Sequence, residues 1–125
     1  MITCIFFCSS SAARATSDSE IEKELQTLSK KMNATLPTGG PLALIVSVTA
    51  GPGKRFKYLT VVPTPARAWT SEMKAQSRRM ALNSYCTAPN MEAFKAFGVA
   101  VSWESIDKDG VHVLTNTVNP SDCVR

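Results

Sequence analysis

Two residue pairs in this sequence could in principle activate a nucleophile. Ser71 and Lys74 fit the S-x-x-K pattern, in which a lysine one helical turn along takes the proton of a serine hydroxyl. Cys86 and His112 could form a thiolate–imidazole pair if the fold brought them together. Neither carries the rest of its machinery. No S-D-N or K-T-G follows Ser71, and a lone histidine in a strand-like stretch is ordinarily a surface or packed residue. Gly51-Pro52-Gly53-Lys54 looks like a phosphate loop, but Val48 stands where its first glycine is needed and Arg55 where a hydroxyl residue is needed. Asp107-Lys108-Asp109-Gly110 opens like a calcium loop and lacks the later ligands. Glu104, Asp107 and Asp109 crowd one hairpin tip, where water would keep them ordinary. The four cysteines and single histidine show no zinc spacing. The residues therefore predict no metal, no cofactor and no enzyme.

What remains is binding. The chain has 125 residues with 14 Lys and Arg against 10 Asp and Glu, a net charge of +4. The excess is local: residues 37–90 hold seven basic residues and only Glu72 as an acid. Lys54, Arg55, Lys57 and Tyr58, joined by Arg78 and Arg79, make the 54–79 region a candidate surface for phosphate, lipid headgroups or nucleic acid, or for an acidic partner. The plainer reading of the same residues is a solvated face on a helix and a hairpin. Asn33-Ala34-Thr35 is a glycosylation sequon, informative only in a eukaryotic secretory protein.

A composition of 44% hydrophobic and 19% charged residues excludes collagen, coiled coil and a disordered tail. The longest apolar run, Ile2 to Cys8, is too short to span a bilayer as a helix. Followed by Ser9-Ser10-Ser11-Ala12-Ala13 and the Ala13-Arg14-Ala15 cleavage pattern, it predicts residues 1–15 as a truncated signal peptide and 16–125 as one domain. The alternative is a cytoplasmic chain whose first residues form a buried strand. Cleavage would leave Cys86 and Cys123 alone, and such a pair in an oxidising compartment normally becomes a disulfide.

Ser17-Asp18-Ser19-Glu20 is a capping box, after which Ile21, Leu25, Leu28 and Met32 recur on one helical stripe. Residues 42–49 and 54–62 read as a hairpin about Ala50-Gly51-Pro52-Gly53. Thr64 as cap with Pro65 behind it starts the next helix, which carries Trp69, Met73, Met80 and Ala81 on one side. A short helix after Pro89 turns Met91, Phe94 and Phe97 inward and stops at Gly98. A second hairpin turns at residues 107–110. The order helix, hairpin, helices, hairpin predicts an α+β fold of about four antiparallel strands with helices on one face.

In order along the chain, Asn33-Ala34-Thr35-Leu36-Pro37, the Gly-Pro-Gly-Lys turn leading to Phe56-x-Tyr58, Cys86 before a short helix, Gly98-Val99 through Trp103, Asp107-x-Asp109-Gly110 and Pro120-Ser121-Asp122-Cys123 resemble a group of small exported bacterial proteins of uncharacterised function. The resemblance implies export and a Cys86–Cys123 pair, and no activity. The expectation is a periplasmic or secreted, non-enzymatic module that binds another protein, as an immunity or inhibitor protein or a secretion-system accessory protein does. Anion binding by the 54–79 region is the alternative.

Overall fold

The computed structural model describes residues 17–41 and 43–123. The expected signal segment lies outside them, as does Leu42, the first residue of the expected first strand. Helix α1 spans Asp18–Asn33. Its capping box forms as expected: the Ser17 hydroxyl accepts from the Glu20 amide at 3.2 Å, and the Glu20 carboxylate accepts from the Ser17 amide at 3.1 Å. Ile21 and Leu25 bury the helix against the sheet, with Leu28 and Met32 packed beside them.

Strands β1 (Thr38–Gly40), β2 (Ala43–Gly51), β3 (Arg55–Val61), β4 (Ala100–Ile106) and β5 (His112–Val118) form one sheet in that order. This corrects the expectation of about four antiparallel strands in two ways. Thr38-Gly39-Gly40 pairs antiparallel with residues 43–45, although a glycine pair carries no side-chain signal for a strand. And β3 runs parallel to β4, with Arg55 opposite Ala100 and Val61 opposite Ile106. Parallel neighbours need a long crossover, and residues 62–99 supply one that contains the remaining helices. Each hairpin is antiparallel as read; the join between them is not.

Within the crossover, Ala66–Ala68 make a single 3-10 turn and α2 spans Ser71–Thr87. The expected Thr64 cap is thus replaced by Thr70, whose hydroxyl accepts from the Met73 amide at 3.1 Å. A 3-10 turn at Pro89–Met91 leads into α3 (Glu92–Ala96), and Gly98 stops it at φ 75°. The described helices pack on one sheet face. Phe56, Tyr58, Val101 and Val118 point to that face and meet Ile21, Leu25, Tyr85 and Met91 in the core. The opposite face is polar and open, with Lys57 paired to Glu104 at 3.0 Å and Ser102 bonded to Thr117 at 2.8 Å.

Cys86 at the end of α2 is bridged to Cys123, in a 3-10 turn (Pro120–Cys123) after β5. Beside it the buried Tyr85 hydroxyl donates to the Val99 carbonyl at 2.6 Å. Burial, aided by the nearby Asp122 carboxylate, pushes this phenol up to about 12.

A candidate site in the groove between α2 and the sheet

Helix α2 buries only Ala81 and Tyr85. Its first half is tied to the sheet edge through Ser77 and Arg78 on β5, and between the helix and the other strands lies a groove of about 540 Å³. Met73, Met80 and Ala81 from α2 form one wall, and Val62, Pro63 and Trp69 from the crossover form another. Ile45, Thr60, Trp103, Ser105 and Asn116 from four adjacent strands form the floor. Trp103 lies flat on Tyr58, ring centroids 5.8 Å apart and planes 12° apart, which fixes the largest floor side chain. Met80 stands 62% exposed at the rim.

Hydrogen bonds hold the walls. Asp107, only 4% exposed, accepts from the backbone amides of Ala66 at 2.8 Å and of Asp109 and Val111 at 2.9 Å. The Ala66 bond straps the crossover to the β4–β5 turn. These backbone donors, with a contribution from Arg67, hold the Asp107 carboxyl below its ordinary value, so this acid is a structural anchor and not the ordinary, water-exposed carboxylate that the sequence suggests. The Trp69 indole donates to the Thr64 carbonyl at 3.1 Å. On the other side Asn116 donates to the Ser77 hydroxyl at 3.1 Å, and Arg78 donates to the Thr117 carbonyl at 2.7 Å, so α2 is fastened to β5.

The six residues of the basic candidate surface lie in four different places. Lys54, at the β2–β3 turn, sits 3.2 Å from Asp18 and donates to the Phe97 carbonyl at 3.2 Å. Arg55 and Lys57 alternate onto the open face, while Tyr58 is buried on the other. Arg78 lies 3.8 Å from Asp122 and Arg79 3.5 Å from Glu72, both on α2. Among the described residues no group of His, Cys, Asp and Glu could hold a metal ion. Cys86 is consumed by its bridge to Cys123, and His112 bonds instead to Thr115 at 2.9 Å. No hydrogen bond joins Ser71 to Lys74 among the described residues.

The sequence does place Trp69, Met73, Met80 and Ala81 on one side of a helix. It offers no way to tell that all four line a groove and that only Ala81 is also buried in the core.

No family model matches the chain, and no match to a curated protein is found. Solved structures do match its fold. A pilotin from the Vibrio vulnificus type 2 secretion system aligns with a TM-score of 0.72 at 12% identity, covering 86% of this chain and 96% of the other. The type II secretion system pilotin of Vibrio cholerae aligns at 0.67 and 19% identity, covering 85% and 94%. A candidate secreted protein from Pseudomonas aeruginosa aligns at 0.74 and 19% identity, covering 88% of this chain and all of the other.

Proposed function

We propose that this chain is an exported, non-enzymatic accessory protein of a secretion system, which works by taking an apolar helical segment of another protein into the groove between α2 and the sheet. The observation that carries the reading is the uncovered end of the helical sheet face. Elsewhere on that face α1, α2 and α3 cover the strands; at Ile45, Thr60 and Trp103 the described helices leave a groove open. Two of the structural neighbours are secretion-system pilotins and the third is a candidate secreted protein, which supports an accessory role over an immunity or inhibitor role.

The argument for a helix is one of backbone hydrogen bonds. A segment lying on a sheet face meets side chains, because the ladder bonds run within the sheet. An extended segment there would bury unpaired amides and carbonyls, whereas a helix pairs its own. The β2 edge beside Ile45 is already occupied by β1, with Thr38 opposite Ile45.

The test is a photo-crosslinking amino acid at position 80 in the native host, with position 57 on the open face as control. Adducts with a secretion-system component from position 80 alone are expected. Equal adducts from both positions, or none from position 80, would reject the groove. Export is tested separately by the intact mass of the protein from its host, expected to begin at Thr16 with no free thiol.

A further inference from the structure

The groove is not uniformly apolar: Thr60 and Ser105 lie in its floor beside Asn116, whose side-chain amide is already engaged by Ser77. Thr60 is 8% exposed, and its hydroxyl makes no hydrogen bond among the described residues. Ser105, directly opposite it in the β3–β4 register, is half-buried and equally without a partner. The two hydroxyls therefore lie side by side on adjacent strands, in a lining that includes the apolar Ile45, Val62 and Trp103. Both line the open groove, where water can serve them while it is empty.

A wholly apolar segment would strip that water and leave two buried hydroxyls unpaired, which costs more than a solvated hydroxyl gains. We propose, resting on the groove reading above, that Thr60 and Ser105 select a partner helix whose apolar stripe is interrupted by one uncharged hydrogen-bonding side chain, an amide or a hydroxyl. Each floor hydroxyl can both donate and accept, so either group is matched. The walls bind by apolar burial, and the floor discriminates by the penalty it imposes on a stripe that lacks the polar residue.

A displayed library tests this on the intact, disulfide-bonded protein. Its members are 16-residue amphipathic helices with a leucine stripe, each with one stripe position varied among Asn, Gln, Ser, Thr, Leu, Met and Val. Selection on the wild type is expected to enrich Asn, Gln, Ser or Thr at one central position by about tenfold over Leu. Selection on Thr60→Val/Ser105→Ala should reverse this in favour of the aliphatic residues. Ser105→Ala alone, which removes a single oxygen from a half-buried side chain, should narrow the preference and does not depend on how well Thr60→Val folds. Aliphatic residues enriched equally on wild type and variants would overturn the selection by Thr60 and Ser105 while leaving the groove reading intact. Enrichment of no helix at all on either protein would overturn both.

Discussion

Asn33 and Val48 are joined by two hydrogen bonds of 2.9 Å, the side-chain amide donating to the Val48 carbonyl and its oxygen accepting from the Val48 amide. One side chain at the end of α1 thus takes the place of a strand neighbour at the edge of β2, just past the point where β1 ends. Gln26 adds a bond to the Ala50 carbonyl, and Glu22 accepts from the amides of Gly53 and Lys54 in the turn. Helix α1 therefore closes an edge that would otherwise invite another strand. It also gives Asn33 a structural task, which leaves the amide of the sequon engaged.

Asn33→Ala should remove both bonds and leave the Val48 groups to water, destabilising the fold by about 1–3 kcal/mol in urea titration. Amide exchange at Val48 should rise more than exchange at Tyr58 on the neighbouring strand. Unchanged exchange at Val48 would mean that the edge is protected by something other than Asn33.

The Cys86–Cys123 bridge closes a 37-residue separation that contains β4 and β5. On the chain-entropy model, Cys86→Ser/Cys123→Ser should lose about 3–4 kcal/mol, a large share of the stability of so small a domain. Thermal unfolding of the double variant beside the oxidised wild type measures it. A loss well under 1 kcal/mol would show that the Tyr85–Val99 bond and the Arg78 contacts hold the C-terminal turn unaided.

The pH dependence should follow Asp107. Its carboxyl is held below the ordinary value of 3.8, mainly by the backbone amides of Ala66 and Val111. A carboxylate lowered on folding contributes its stability above the unfolded value and loses it as pH falls through the folded one. Stability should thus be level on this account above the ordinary carboxylate range and decline in acid below it. Asp107→Ala should flatten that acid limb and release the crossover segment, with Trp69 fluorescence reporting the release. An acid limb of unchanged slope in Asp107→Ala would assign the acid sensitivity to other carboxylates.

Local elements were readable from residue pattern, and their assembly was not. The Ser17–Glu20 box, the Ile21–Leu25 stripe and both hairpin turns, with Gly53 and Gly110 at positive φ, follow from short-range chemistry. The parallel β3–β4 pairing does not, because it depends on where a crossover of more than thirty residues returns the chain, and no periodicity within a strand encodes that. The groove was hidden for a related reason. Met73 and Met80 at helical spacing look the same whether they face a core or a cleft; the difference lies in how far α2 stands from the sheet, which Tyr85, Asn116 and the Cys86 bridge decide from elsewhere in the chain. Thr60 and Ser105 look like ordinary strand residues until the β3–β4 register brings them together.

The groove and the basic region make opposite demands, which one pair of variants separates. Met80 is exposed and Met73 half-buried at the groove, so Met73→Glu/Met80→Glu should change stability little and place two carboxylates where an apolar helix must dock. Capture of the partner should fall by about a hundredfold or more, since a charge buried without a partner is costly. Lys54, Arg55 and Lys57 lie at the turn and on the open face, with Lys54 and Lys57 already holding Asp18 and Glu104. Replacing all three with alanine should leave capture intact, with little dependence on salt. If that triple variant instead abolishes binding, and binding to the wild type falls steeply as salt is raised, the contact is an anionic one and the groove is not its seat. Both outcomes are read from one co-purification series run at low and high ionic strength.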